Sequence, residues 1–163
     1  MLNKRNTLCK KEFFHTVFDR VEKRKIEWAY MKNKVLVLSH DKLAGALVRT
    51  TEFIYGELED LCFIDMPDPF DIEAYEKSIR LFIEENESVL VLCDLNGGSP
   101  FLTCMKIMRD HWENCEVLSG VNMPMLLEVA GNMDSLDLKE LKALAVEAGK
   151  EGIVDIKERM ARQ

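Results

Sequence analysis

The sequence contains no apolar run close to the ~20 residues that a membrane-spanning helix needs. It is also poor in positive charge: among 163 residues, 22 Lys and Arg face 29 Asp and Glu, which leaves a formal net charge of −7. This balance argues against nucleic acid or an anionic membrane surface as the main partner. Basic residues and Glu12 interrupt the only apolar cluster near the amino terminus, so we expect no signal peptide.

Cysteine and the common catalytic motifs are sparse as well. The five cysteines are odd in number, and none lies in a CxxC or Cys/His ligand pattern. Cys62, Cys93 and Cys115 fall in or beside apolar stretches, where cysteine behaves as a small buried hydrophobe. We therefore expect a reducing cytoplasm, no metal site and no other cofactor. The chain also lacks the Gly-x-Ser-x-Gly elbow of serine hydrolases, the Walker motif and the GxGxxG dinucleotide motif.

Charge divides the chain into two parts. Residues 1–33 hold nine Lys and Arg against four Asp and Glu, a balance of +5, whereas the remainder holds 13 against 25, a balance of −12. This shift predicts a basic extension over residues 1–33 and one domain over residues 34–163.

The extension contains an apolar stripe at helical spacing with basic residues around it. Three interpretations stay open: a helix that binds a membrane surface or a partner, an extra helix packed on the domain, or an upstream segment before a start at Met31. The stripe consists of Phe13, Phe14, Val17, Phe18 and Val21.

From Lys34 onward, strand-like apolar runs alternate with amphipathic helical runs. This order predicts an α/β protein with three α/β/α layers: a doubly wound, mainly parallel sheet of four strands and a short edge strand near the carboxyl terminus. The predicted strands cover residues 35–38, 61–65, 89–93 and 116–118, with the edge strand at 153–156. The helices are expected over 42–55, after Asp71, from Ser99 as N-cap, from Pro124 and over 138–149.

Polar side chains follow each predicted strand of the main sheet. They are His40, Asp65, Asp94 and Asn122. Because the loops after parallel strands open on one side of the sheet, His40 and Asp94 share a crevice if their strands are neighbours. A carboxylate bonded to one ring nitrogen of a histidine leaves the other nitrogen free as a nucleophile or base. On spacing alone, a histidine that merely caps the following helix is an equal alternative.

The segment Gly97-Gly98-Ser99-Pro100 is the second feature of the predicted crevice. Two glycines let the backbone approach an anion closely, and a helix start presents free N–H groups and the positive end of a dipole. Met123 is a further candidate for lining the crevice, beside Asn122. A histidine, an orienting aspartate and an anion-binding loop together predict phosphoryl transfer through a phosphohistidine.

With these motifs in order, the chain resembles the IIA component of the mannose-family sugar phosphotransferase system over about residues 34–156. The resemblance implies that His40 accepts a phosphoryl group on Nε2 from the phosphocarrier protein HPr and passes it to the IIB component during sugar uptake. The most specific stretches are Ser39-His40, Ala44-Gly45 with Glu52 and Gly56, Asp94 with Gly97–Phe101, Gly120–Leu126 and Glu147–Gly152.

The resemblance also implies roles for single residues. Asp94 matches the aspartate that hydrogen-bonds the histidine, while Ser39, Gly97, Gly98 and Ser99 match positions beside the phosphoryl group. Family members are often dimers that exchange the last edge strand, so a homodimer is expected, with membrane contact only indirectly, through the IIC/IID transporter.

Two positions depart from the family, which usually has glycine where Leu38 and Asp41 stand. A charge at Asp41 is expected to weaken binding of an incoming phosphoryl group unless its side chain turns away as a helix cap. Three alternatives stay open: the phosphotransfer subunit of dihydroxyacetone kinase, a non-catalytic regulatory domain of the same fold, and a small-molecule-binding α/β domain.

Overall fold

A computed structural model describes residues 32–66, 69–111 and 113–162 of the chain. The predicted extension over residues 1–33 and its helical stripe lie almost wholly outside the described residues, so both stay predictions. Within these ranges, no helix is long and apolar enough to cross a membrane.

Four parallel strands form one sheet in the order β2-β1-β3-β4. The crossover from β2 past β1 to β3 places a topological switch point between β1 and β3. The strands are β1 (Lys34–His40), β2 (Leu61–Met66), β3 (Val89–Cys93) and β4 (Cys115–Ser119). Each predicted strand of the main sheet is present, and β3 has the predicted bounds.

Six helices accompany the sheet in the described ranges. They are α1 (Leu43–Tyr55), α2 (Ile72–Glu84), α3 (Ser99–Met108), α4 (Met123–Asn132), α5 (Leu138–Glu151) and α6 (Ile156–Ala161). Helices α1, α4 and α5 cover one face of the sheet, and α2 and α3 cover the other. The predicted three-layer α/β/α fold is therefore confirmed.

The alternation of side chains along the strands divides the core into two halves. Val35 and Val37 of β1 face α1, α4 and α5, whereas Leu36 and Leu38 face α2 and α3. All five residues of β3 are fully buried, as expected of a central parallel strand that is covered on both faces.

The predicted edge strand over residues 153–156 is not formed in the single chain. Residues 153–155 pair with no described strand, and Ile156 begins α6 instead. The Asp155 side chain accepts hydrogen bonds from the backbone N–H groups of Lys157 and Glu158, so this aspartate starts a helix. Ile153 is 83% exposed. The exchange of this segment between two copies stays a prediction.

The helical spacing of Leu43, Leu47, Thr51 and Ile54 predicts that they share one face of α1, and the structure buries this face only in part. Thr51 is buried, but Leu43 and Ile54 are exposed. The helix instead turns the small residues Ala44 and Gly45 toward the sheet, because it packs too closely there for larger side chains. A Cβ atom on Gly45 would lie 2.8 Å from Phe63 Cε2 in β2. The predicted end of α1 at Gly56, where φ is +91°, is present.

Candidate active site

The sequence predicted that His40 lies in the loop after the first strand. In the structure it is the last residue of β1. Its strand remains paired with β2 through Ser39↔Asp65 and His40↔Met66, whereas pairing with β3 ends at Leu38↔Cys93. The histidine therefore stands on a rigid strand at the carboxyl edge of the sheet, beside the switch point. Strand alternation turns it toward the face that carries α2 and α3.

Asp94 holds both the ring and the backbone of His40. Its Oδ2 lies 2.8 Å from His40 Nδ1 and 2.9 Å from the His40 backbone nitrogen. A carboxylate only accepts hydrogen bonds, so Nδ1 carries the proton in this contact and Nε2 keeps its lone pair. The imidazole side chain is 40% exposed and the aspartate side chain 13% exposed. The arrangement presents one nucleophilic nitrogen to solvent.

The electrostatics favour an ionised Asp94. Burial by itself raises the pKa of this carboxyl, but the hydrogen bonds from the His40 backbone and ring outweigh it, and the pKa lies below its usual range. Asp94 is therefore a carboxylate at neutral pH and can stabilise a positive charge on the imidazole ring.

Gly98 lies directly against the imidazole ring. A Cβ atom at this position would come 2.6 Å from His40 Cε1 and 3.2 Å from Nε2. Its backbone is extended, so close approach rather than an unusual dihedral requires glycine here. At Gly97 the reason is conformational, because φ is +75° and a Cβ atom would meet nothing within 4 Å.

Helix α3 begins beside Nε2, although one residue earlier than predicted. Gly98 is the N-cap, and Ser99 and Pro100 occupy the first turn, whereas the sequence predicted Ser99 as the cap. The extended backbone of Gly98 can serve as N-cap without a side-chain hydrogen bond. The positive end of the α3 dipole and the first-turn N–H groups therefore lie next to the free ring nitrogen.

The sequence predicted that Ser39 lies beside the phosphoryl group, but its side chain points into the core. The residue is fully buried, and its Oγ accepts a hydrogen bond from the Ala44 backbone N–H at 2.6 Å. Asp65 Oδ1 likewise accepts from the Gly45 N–H at 3.0 Å. These two side chains cap α1 from two neighbouring strands. Sequence reasoning missed this arrangement, since capping signals are sought in the residue that precedes a helix.

Asp41 does not cap α1 either. Lys42 occupies the N-cap position without a side-chain bond, and Asp41 is exposed. The Asp41 backbone exchanges hydrogen bonds with Met66 at 3.1 and 3.2 Å and has φ of +49°. This left-handed conformation costs little for glycine and is tolerated by aspartate, which explains why glycine suits this position.

Asn122 lies at the end of the neighbouring loop, between β4 and α4, and Met123 is the first residue of α4. The loop is fixed to the end of β3, because the Val121 N–H donates to the Cys93 carbonyl at 3.0 Å. Asn122 Oδ1 accepts from the Met125 N–H and its Nδ2 donates to the Gly149 carbonyl, both at 3.0 Å. Asn122 thus caps α4 and ties it to α5. Among the described residues it has no hydrogen bond to His40 or Asp94.

The described residues contain no group of three or more His, Cys, Asp or Glu side chains that is arranged to hold a metal ion. In the described part of the chain, four cysteines are free thiols: Cys62, Cys93, Cys104 and Cys115.

Fold and site together define a doubly wound α/β protein that presents an aspartate-bound histidine at its switch point. Residues 34–146 match the family model of the PTS system fructose IIA component, EIIA-man, and the chain belongs to that family. The resemblance drawn from the sequence motifs is therefore confirmed.

Two curated relatives show how the chain compares with complete proteins. It is 36% identical over 128 residues to the mannose-specific EIIAB component of Escherichia coli K12, covering 76% of this chain but 39% of that protein. It is 26% identical to the sorbose-specific EIIA component of Lacticaseibacillus casei, covering 78% of this chain and 93% of the relative. The chain thus spans about two fifths of the E. coli protein.

Solved structures agree with the fold. The mannose/sorbose-specific IIA subunit from Enterococcus faecalis has a TM-score of 0.70 and 27% identity, over 77% of this chain and 96% of that chain. An EIIA component from Streptococcus agalactiae has a TM-score of 0.73 over 77% of this chain and 98% of that one. At 23% identity, the second shows likeness of fold alone.

Proposed function

We propose that the protein is a phosphoryl carrier that accepts a phosphoryl group from phosphorylated HPr on Nε2 of His40 and passes it to a IIB component. The contact of 2.8 Å between His40 Nδ1 and Asp94 Oδ2 carries this proposal, because it leaves Nε2 as the free nucleophile. The family to which the chain belongs supports the same role.

The chemistry needs only groups that the site contains. The Nε2 lone pair attacks phosphorus, the N–P bond of the donor phosphohistidine breaks, and its electron pair returns to the donor imidazole. The Nδ1 proton stays on the bond to Asp94, so the positive charge of the product ring faces a carboxylate. We assign the binding of the phosphoryl oxygens to the α3 N-terminus with Ser99, which a helix dipole and free N–H groups support. Transfer to IIB reverses these steps.

The surface beside the site suits a protein partner. Leu95, in the loop after β3, is 58% exposed, and Leu102, in the first turns of α3, is 56% exposed. Exposed large apolar side chains near a charged site are typical of protein-binding surfaces. We assign this apolar rim to the contact with HPr and then with IIB.

The remaining parts of the proposal follow from family membership. The carrier works in the cytoplasm, forms a homodimer and reaches the membrane only through the IIC/IID transporter. It requires no cofactor, because the donor is itself a phosphohistidine.

A labelling experiment tests the proposal. The full chain is incubated with HPr carrying a labelled phosphoryl group, and the product is digested and mapped. The label is expected on His40 as an acid-labile phosphoramidate. Label on another residue, or none, would contradict the proposal.

We expect Gly98→Ala to slow phosphoryl acceptance by roughly 10–100-fold, since a displaced ring is no longer aligned with the donor. The added methyl would lie 2.6 Å from His40 Cε1, so the ring or α3 must shift. Gly56→Ala, at the end of α1 away from the site, is the matched control: its methyl meets nothing within 4 Å, but φ is +91°. The control should lose about 1 kcal/mol of stability yet keep its rate. Stopped-flow kinetics measure the rate of phosphoryl transfer in each variant, and urea unfolding measures its stability. An unchanged rate in Gly98→Ala would count against the site geometry.

A further inference from the structure

Asp41, directly after the proposed phosphoryl acceptor, adopts a backbone conformation that is unusual for its residue type. Its φ of +49° lies in the left-handed region, and every other described residue with a positive φ is a glycine. A non-glycine residue in this region costs free energy, although asparagine and aspartate tolerate it best. Because such outliers cluster at functional sites, the aspartate at this position calls for a functional explanation.

The backbone of Asp41 is held in place by the neighbouring strand. Its N–H donates to the Met66 carbonyl at 3.1 Å, and its carbonyl accepts from the Met66 N–H at 3.2 Å. The contact between the ends of β1 and β2 thus continues one residue past His40. The carboxylate of Asp41 is therefore anchored at the carboxyl edge of the sheet, next to the histidine.

The Asp41 side chain supplies a negative charge that is open to solvent. The residue is exposed, and Lys42 rather than Asp41 occupies the N-cap position of α1. Among the described residues, its carboxylate has no hydrogen-bond or ion-pair partner. Two other carboxylates at this edge, those of Asp65 and Asp94, do accept hydrogen bonds from backbone N–H groups. The hydrogen bonds of the fold therefore do not explain why an aspartate follows His40.

Covalent geometry alone brings this charge close to the proposed reaction centre. The Cα atoms of His40 and Asp41 are joined by one peptide unit and lie about 3.8 Å apart. With the reach of both side chains added, the carboxylate oxygens lie at most about 12 Å from His40 Nε2 in any rotamer. The imidazole side chain is 40% exposed and Asp41 is exposed as well, so solvent and salt screen their interaction.

We propose that the charge of Asp41 raises the phosphoryl-transfer potential of phosphorylated His40. This inference rests on the proposed function, in which the N–P bond on Nε2 forms as the bond between phosphorus and the donor nitrogen breaks. The phosphoryl oxygens then bring negative charge near a carboxylate, and the repulsion raises the free energy of the phosphorylated chain alone. The chain thus accepts the group less favourably from HPr and gives it up more favourably to the next acceptor.

Asp41→Asn removes the charge and keeps a residue that tolerates the left-handed backbone. The full chain and the variant are each mixed with phosphorylated and unphosphorylated HPr in a fixed ratio, and the phosphorylated fraction is measured at equilibrium. The substitution should raise the equilibrium constant for acceptance by roughly 1.5–4-fold at about 10 mM salt, and by less than about 1.5-fold at about 0.5 M salt. Equal constants at low salt would overturn the proposal, and so would a difference that salt leaves unchanged.

Two control variants separate charge from backbone conformation and local charge from net charge. Asp41→Gly removes the charge and also relaxes the backbone, so it should shift the constant as far as Asp41→Asn does; a shift in the glycine variant alone would refute the proposal. Glu57→Gln removes an exposed carboxylate beyond the far end of α1, a helix roughly 20 Å long, and should change the constant by less than about 1.2-fold. An equally large shift in Glu57→Gln would assign the effect to net charge and also refute the proposal.

A small phosphoryl donor separates this inference from the proposed function. Phosphoramidate is an anion that phosphorylates histidine directly, with loss of ammonia, and it needs no protein docking surface. Asp41→Asn should be phosphorylated on His40 roughly 1.5–2-fold faster than the wild-type chain at low salt, because the donor approaches one negative charge fewer. If the wild-type chain takes no label from HPr but this difference is present, the proposed donor is wrong and the role of Asp41 stands. Equal rates with phosphoramidate would count against Asp41, even where HPr phosphorylates both proteins.

Discussion

Replacing His40 with glutamine is expected to abolish phosphoryl acceptance from phosphorylated HPr, lowering the rate by roughly 10⁴-fold or more. The amide of glutamine has a similar reach but no nucleophilic lone pair, so it cannot form the N–P bond. The fold should survive, because the imidazole is 40% exposed and Asp94 still receives the backbone N–H of residue 40 at 2.9 Å. Transfer kinetics with labelled HPr measure the loss, and circular dichroism checks the fold.

His111→Gln is the matched control for this experiment. His111 also lies beside a carboxylate, with Nε2 3.6 Å from Glu84 Oε1, but it stands outside the crevice at the end of α3. This variant should accept the phosphoryl group at the wild-type rate. Wild-type transfer in the His40 variant would place the acceptor elsewhere. If the wild-type chain binds HPr but never carries label, the non-catalytic regulatory interpretation is correct instead.

Asp94→Asn should give the second-largest effect, a loss of about 10²–10⁴-fold in the rate of phosphoryl acceptance. Loss of the orienting aspartate in a histidine–carboxylate pair has a cost of up to this size because an amide permits the wrong tautomer. Asparagine can donate to Nδ1, which would move the ring proton to Nε2 and remove the nucleophile. It also removes the negative charge that stabilises the phosphorylated ring.

The same substitution should change the pH dependence of stability. Because the pKa of folded Asp94 is lowered, this carboxylate stabilises the fold above the unfolded-state value of about 4, and the contribution disappears as pH falls through the folded pKa. Asp94→Asn should therefore lose less stability than the wild-type chain on acidification. Urea unfolding at pH 7 and pH 3 measures the difference; equal losses in both proteins would argue that the carboxylate is not held in the native state. A rate within 3-fold of wild type would separately contradict the orienting role.

The sequence predicted the strands well because parallel strands covered on both faces are continuously apolar. Both ends of the strand Val89–Cys93 were predicted correctly. The meeting of His40 and Asp94 was predicted only if their strands are neighbours, and the pairing of β1 with β3 meets that condition. The buried faces of the helices were harder to predict. Leu43 and Ile54 fit a helical period but are exposed, since the close packing of α1 on β2 selects small residues at Ala44 and Gly45.

Contacts between residues that are far apart in sequence leave no pattern in the local sequence from which they could be predicted. The caps of α1 come from Ser39 in β1 and from Asp65 in β2. The edge strand predicted over residues 153–156 is not formed in the single chain, for a different reason. Ile153, Val154 and Ile156 are apolar and β-branched, as in strands, but Asp155 between them starts a helix.

The hydrogen bond from the His40 backbone to Asp94 ties reactivity to the order of assembly. The two residues are 54 positions apart in sequence, and the carboxylate reaches the ring only when β1 and β3 have paired. An unfolded or partly folded chain therefore contains the same histidine without its oriented, deprotonated nitrogen. If His40 accepts a phosphoryl group as proposed, the rate of uptake should report whether β1 and β3 have paired. The proposed phosphoryl transfer should therefore depend on contacts between segments that are distant in sequence, and such contacts generally form slowly.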